Sequence, residues 1–255
     1  MPRPRSYTFA LAIPLLCAAA AYSRENAASA ILERSMASYT KLQSYADSGT
    51  TVMQTGPTMY QYGSFKTFYE RKGNSFFFAY HDIKAVDRGG TLPLNRHYVY
   101  WMTKGTLQKW NSEGKTHEVF PAGSTNQITP LQNGELATRG AITLVPSLIF
   151  GRAGLFGVLQ EIVKISDAGT EAVNGRKCHK LVGFAQSTYP SGKTFNRRPV
   201  TVWIDAETML IRKLLVDTPK GYATGSMYRI TTTLYPQANT RIDPRSFHFK
   251  VPEPQ

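Results

Sequence analysis

Pro199-Val200-Thr201-Val202-Trp203-Ile204-Asp205-Ala206-Glu207-Thr208-Met209-Leu210-Ile211-Arg212-Lys213 is the stretch whose reading decides the fold. Val200, Val202 and Ile204 fall on one side of an extended chain, and Thr201, Trp203 and Asp205 on the other. That is the period of two expected of a strand. Ala206-Glu207-Thr208 breaks the run and Leu210 to Asp217 resumes it, so the stretch reads as an antiparallel hairpin. Strand character recurs upstream at Tyr45 to Met53, Phe65 to Tyr69, Ser75 to His81, His97 to Thr103 and Thr106 to Trp110. Downstream it recurs at Glu161 to Ser166, Lys177 to Ala185 and Ser226 to Leu234. Lys72-Gly73-Asn74, Arg88-Gly89-Gly90 and Lys104-Gly105 punctuate these runs, and Asn174-Gly175 is a strong two-residue hairpin signal. There is no strand–helix alternation, long repeat or heptad run, which disfavours doubly wound, solenoid and coiled-coil folds. The reading is a mainly β fold with helices (α+β), built on an open or partly closed antiparallel sheet.

Two stretches depart from the strand pattern. From Ala28 to Leu42, Ile31, Leu32, Met36, Tyr39 and Leu42 recur at helical spacing and predict an N-terminal amphipathic helix. Between Leu131 and Leu159, apolar residues including Leu136, Ile142, Leu144, Leu148, Ile149 and Phe156 are interrupted by Pro146, Gly151 and Gly154. Short broken helices fit this better than strands, and they are candidates for a lid.

At the start of the chain, Arg3 and Arg5 precede an apolar run from Tyr7 to Ala21 that is too short for a stable membrane anchor. Residues 1–23 therefore read as a cleavable signal peptide, cut after Ser23 or after Ala21, that directs export to the periplasm. Cys17 invites a lipidation site, but Leu16 and Pro14 fit such a box poorly. The remaining 24–255 leaves about 230 residues, within the range of a single domain with one core. The formal charge of the whole chain is +13, and removal of two arginines leaves it strongly basic. Such a surface favours anionic partners; export points to lipid headgroups at a membrane surface, cell-wall polymers or acidic proteins rather than nucleic acid. Cys178 is the one cysteine beyond the signal, so no intramolecular disulfide is expected there, and it reads as a small buried strand residue.

Searches for chemistry return little. Gly192-Lys193-Thr194 resembles the end of a phosphate-binding loop, but Ser187 stands where its first glycine is required. His81, His97, His117, His179 and His248 show no metal-ligand spacing, so neither a metal nor a cofactor is expected. No Gly-x-Ser-x-Gly elbow occurs. Asp205 and Glu207 read as solvated turn carboxylates, and the scarce acids overall as salt-bridge partners. An enzyme is not indicated.

Aromatic surface is what the sequence offers instead. Phe76, Phe78 and Tyr80 alternate on one strand and Tyr98, Tyr100 and Met102 on another. A strongly curved sheet would present Phe76, Phe78, Tyr80, Tyr100 and Met102 as the wall of an apolar cavity, closed by lid residues Leu144, Leu148 and Ile149. The expected function is a monomeric binding or carrier protein for acyl lipid or lipoprotein chains. The alternative is a periplasmic sensor on the same fold that binds an envelope protein partner.

Four local features, in their order, resemble the LolA-like superfamily of periplasmic lipoprotein carriers. They are Ile31-Leu32-Glu33 through Tyr45 and Asp47-Ser48-Gly49; Thr67-Phe68-Tyr69-Glu70-Arg71 before Phe76 and Phe78; Val173-Asn174-Gly175 running on to Leu210-Ile211-Arg212-Lys213; and Ile242-Asp243-Pro244 with Phe247, Phe249 and Pro252. The resemblance implies an incomplete eleven-stranded barrel around an apolar cavity, capped by helices and shielding acyl chains in transit. It also implies a rim arginine that holds the lid closed, for which Arg71 is the matching position. Lys72-Gly73 here replaces the proline usual after that arginine.

Overall fold

Asn174 and Gly175 both adopt positive φ (50° and 74°), the backbone that lets a two-residue turn match the twist of its flanking strands. Turns of this short kind set the whole architecture: strands follow one another as hairpins, and nearly every neighbour in sequence is a neighbour in space. The computed structural model describes residues 12–123, 131, 134, 137–142, 144, 162–188, 194–218 and 228–253. The lid candidates Leu148 and Ile149 lie outside the described residues.

A helix, α1 (Ala12–Lys41), leads into β1 (Ser44–Thr55), β2 (Met59–Glu70), β3 (Ser75–Asp87), β4 (Gly90–Thr103), β5 (Thr106–Asn111) and β6 (Thr116–Phe120). After a long connection come β7 (Ile162–Val173), β8 (Arg176–Thr188), β9 (Thr194–Asp205), β10 (Ile211–Thr218), β11 (Tyr228–Leu234) and the short β12 (Gln237–Ala238). All of these form one 12-stranded sheet in the order β6-β5-β4-β3-β2-β1-β11-β10-β9-β8-β7, with β12 beside β1. Two meanders are thus joined where β11 pairs with β1, Gly49 opposite Leu234 through Thr55 opposite Tyr228. The sheet curves without closing, and β6 and β7 are its two ends. Register shifts in β3, β7 and β10 insert extra residues that sharpen the bend.

Because β6 and β7 stand at opposite ends, the chain between them must travel from one edge of the sheet to the other. Its described residues Leu131, Ala141, Ile142 and Leu144 are buried in the same apolar cluster as the inward side chains of β2, β3 and β4. These residues therefore lie over the concave face. Ala28, Ile31, Leu32 and Tyr39 of α1 and Leu42 just after it join that cluster, and α1 packs along β7.

The helix ends where its spacing predicts but begins earlier, at Ala12, because the alanine-rich run before Ala28 continues the helical backbone. The β3–β4 hairpin also extends well past His81 and His97. Its outer part is exposed on both faces, so no alternation marks it. Strand β6 is unannounced for the same reason, four of its five residues being exposed. The chain finishes in a 3-10 turn at Pro244–Phe247, capped by the Asp243 carboxylate accepting from the Arg245 amide. Phe249 then wedges between Trp101 and Trp110 on the convex side, ring centroids 5.2 and 5.3 Å away.

Candidate functional site

Every second residue of β2, β3 and β4 points into the concave face. Registration sets Tyr69 beside Phe76, Thr67 beside Phe78 and Phe65 beside Tyr80, and then Phe76 beside Met102, Phe78 beside Tyr100 and Tyr80 beside Tyr98. The rings meet at centroid separations of 6.0 Å for Phe65–Phe78 and 6.4 Å for Phe78–Tyr100, within the range of favourable aromatic pairs. All five wall candidates, Phe76, Phe78, Tyr80, Tyr100 and Met102, are buried in one cluster. Leu144 joins them from the connection.

Two positions without a side chain make room for wall hydroxyls, Gly134 in the cover and Gly63 on β2. A Cβ at Gly134 would lie 2.5 Å from the Tyr100 hydroxyl, and one at Gly63 would collide with the Tyr80 hydroxyl. Among the described residues of the cover, Leu131, Gly134, Ala137, Ala141, Ile142 and Leu144 are helical and Thr138 to Gly140 form a turn: the Thr138 amide donates to the Gly134 carbonyl (2.9 Å) and the Leu144 amide to the Gly140 carbonyl (3.2 Å). Between these turns Arg139 and Gly140 take positive φ (53° and 79°), so the helix breaks there and redirects Arg139 into the fold.

Arg139 is 7% exposed, and its guanidinium joins the cover to three strands. Nη2 lies 2.8 Å from Asp82 Oδ1 on β3 and donates to Gln61 Oε1 on β2 at 2.7 Å. Nη1 donates to the Tyr80 hydroxyl, which shares a 2.8 Å hydrogen bond with Thr51 Oγ1 of β1. Asp82 Oδ1 has no aligned hydrogen bond, so its attraction to Arg139 is coulombic, and Arg96 Nε stands 3.6 Å from its other oxygen. Burial raises the Tyr80 phenol above its ordinary range and keeps it a neutral hydroxyl. Among the described residues the cover is thus held by apolar packing at Ile142 and Leu144 and by a polar clasp at Arg139.

A second buried polar group ties α1 to the sheet. The Tyr39 hydroxyl accepts from the Ile211 amide at 3.0 Å, and the Tyr45 hydroxyl donates to Asp47 Oδ2 at 3.0 Å. Asp47 Oδ1 accepts from the Tyr235 amide at 2.8 Å. Burial dominates and pushes the Asp47 carboxyl up to about 7, although the Tyr235 amide, the Tyr45 hydroxyl and the Arg212 charge act against it.

Neither a family model nor a curated protein matches the sequence. Solved structures do match its architecture. The chain is similar in fold to LolA-like proteins. The lipoprotein LppX of Mycobacterium tuberculosis is 13% identical over 86% of this chain and 98% of its own, with a TM-score of 0.46. LprF from Mycobacterium bovis is 16% identical over 90% and 97%, with a TM-score of 0.47. A LolA superfamily protein from Nitrosomonas europaea is 8% identical over 87% and 97%, with a TM-score of 0.30.

The rim arginine expected to hold the lid, Arg71, sits beside the end of α1. Its Nε donates to the Leu42 carbonyl at 2.8 Å and its Nη2 to the Thr40 carbonyl at 2.6 Å, with the guanidinium 5.9 Å from the Tyr69 ring centroid. These bonds cap the helix C-terminus, where a cation opposes the dipole. Arg139, which the sequence reading passed over, makes the contacts between cover and sheet; its signal was a lone positive side chain between Leu136 and Ile142. Asp205 also differs from expectation. It is 1% exposed rather than solvated, because Arg176 Nε (3.2 Å) and Arg212 Nη2 (2.9 Å) close over it. Burial would raise its carboxyl, but the Thr208 and Glu207 amides and the two guanidiniums outweigh that and hold it at about 2. Glu207 is exposed and pairs with Arg176 at 2.6 Å. Cys178 is fully buried, as its strand position predicts. Among the described residues no cluster of three or more metal-ligating side chains occurs.

Proposed function

We propose that the protein is a non-covalent binding protein for acyl chains of lipids or lipoproteins, held against the aromatic concave face after the covering segment lifts. The observation that carries this reading is the construction of the cover: an apolar wall of five large side chains meets buried residues of the covering segment, among whose described residues the Arg139 guanidinium makes a polar attachment to the sheet. A core meant only for stability has no need of a buried ion pair at its edge, since apolar side chains of similar size would hold as well or better. Opening the clasp costs about 3–5 kcal/mol if one partner is left stranded. An acyl chain that buries about ten methylenes regains about 8 kcal/mol. That gain must also offset the apolar packing of Ile142 and Leu144 that lifting would expose.

In this reading Phe76, Phe78, Tyr80, Tyr100 and Met102 form the wall, Leu144, Leu148 and Ile149 belong to the lid, Arg71 steadies α1 beside the mouth, and residues 1–23 direct export to the periplasm. The test is native mass spectrometry of protein purified gently from the periplasm, followed by lipid analysis of what denaturation releases. Acyl lipid near one-to-one supports the proposal. A protein that is reproducibly empty and takes up no added lipid overturns it. That second result would favour a sensor that binds a protein partner, a reading with its own support in the near-complete burial of the wall residues, Phe78 at 0% exposure and Tyr80 at 1%.

A further inference from the structure

The convex face of the sheet carries a groove that the lipid-binding reading does not use. It has a volume of about 500 Å³, and its floor comes from β1 to β4. The outward positions there are Ser48 and Thr50, Ser64 and Lys66, Ala79 and His81, and His97 and Val99, alternating with inward residues such as Phe65 and Tyr80. Tyr235, 44% exposed, forms one wall.

Strand register lines up the donors. Thr50 stands opposite Ser64, Ser64 opposite His81, and His81 opposite His97. At the spacing of neighbouring strands this row is about 14 Å long. The imidazoles of His81 and His97 stack with centroids 4.1 Å apart and planes at 12°. His81 Nε2 is bonded to Asn95 Oδ1 at 3.2 Å, which fixes that ring. The hydroxyls of Ser48, Thr50 and Ser64, the Lys66 ammonium and the His97 ring face the groove, and among the described residues no carboxylate lines it. In a chain of formal charge +13, a concave row of hydroxyl, imidazole and ammonium donors without a counter-charge is complementary to an oxyanion. A row longer than one phosphate suits a phosphate that carries a further polar group.

We propose that this groove is a binding site for a phosphate ester of glycerol-phosphate type, with Lys66 and His97 on the phosphate and the Thr50 and Ser64 hydroxyls on its polar extension. Such a group could be a free phosphate ester or the headgroup of an anionic phospholipid. The site lies on the opposite face of the sheet from the acyl wall, so its occupancy is independent of lid opening.

The test is a titration of the full chain at pH 7 with glycerol 1-phosphate, followed by heteronuclear NMR of backbone and imidazole signals, beside a parallel titration with phosphatidylglycerol vesicles and with neutral phosphatidylcholine vesicles. Saturable shifts confined to Thr50, Ser64, Lys66, His81 and His97 with the soluble ester support a free ligand. Broadening of the same signals by phosphatidylglycerol vesicles, with no saturation by the soluble ester and none by neutral vesicles, supports the headgroup source. Lys66→Met and His97→Gln should each weaken the binding by about tenfold, as expected for loss of a hydrogen bond to a charged group. Shifts that never saturate, or that spread over the basic surface at large, overturn the site. The wild-type titration decides this even if a variant folds poorly.

Discussion

Arg139 Nη2 lies 2.8 Å from Asp82 Oδ1 with both side chains almost fully buried, 5% and 4% exposed, which makes this pair the electrostatic link between the covering segment and the sheet. Removing one partner strands the other. Arg139→Met should lower stability by about 3–5 kcal/mol. Pairing it with Asp82→Leu should restore most of that loss. Chemical denaturation of the two single variants and the double variant measures the coupling. Additive losses would show that the pair does not act as a unit.

Gly134 sits where a side chain would meet the Tyr100 hydroxyl. Gly134→Val should hold the cover away from the wall, increase binding of a hydrophobic fluorophore severalfold, and lower stability by about 1–3 kcal/mol, the usual range for overpacking. Gly134→Ala should do both to a smaller degree. Fluorescence titration beside thermal unfolding separates an opened wall from a merely weakened fold.

Asp47 sets a pH dependence on the neutral side. Its carboxyl titrates near 7 in the folded chain and near 4 when unfolded, so across that window the folded state holds the extra proton. Stability contributed by this group is therefore highest below about pH 4, falls as pH rises towards 7, and levels off above. Asp47→Asn should flatten this slope. Melting temperatures of both proteins between pH 4 and pH 8 give the answer, and parallel curves would count against burial of the carboxyl.

Asp205 acts in the opposite sense. Held at about 2, it adds stability of about 2 kcal/mol that is complete above pH 4 and disappears as pH falls through 2. Asp205→Asn should cost at least this much at pH 7 and remove the corresponding part of the acid transition. Urea denaturation at pH 7 and pH 2.5 tests it; an equal loss at both values would assign Asp205 a turn-forming role alone.

The parts of the fold that rest on a local period were legible in the sequence. Val200, Val202 and Ile204 alternate because they point into the main apolar cluster, and the same holds for Phe76, Phe78 and Tyr80 on β3. Where both faces of a strand meet water, as in β6 and the outer β3–β4 hairpin, the period vanishes and so did the reading. The wall candidates followed from alternation too. The clasp did not, because Arg139 and Asp82 belong to segments far apart in sequence, and nothing local in either announces the other. Asp205 misled for a similar reason: its turn position was visible, but the guanidiniums that bury it come from β8 and β10.

The placement of β6 and β7 at opposite ends of the sheet has a mechanical consequence. The molecule is two meanders zipped along the β1–β11 seam, and the covering segment is their one covalent joint. A single proteolytic cut within 121–161 would therefore leave two halves held only by that seam and by packing, and any tension that parts the halves would be transmitted through the roof. The chain that joins the halves also supplies the buried residues Ile142 and Leu144 over the concave face.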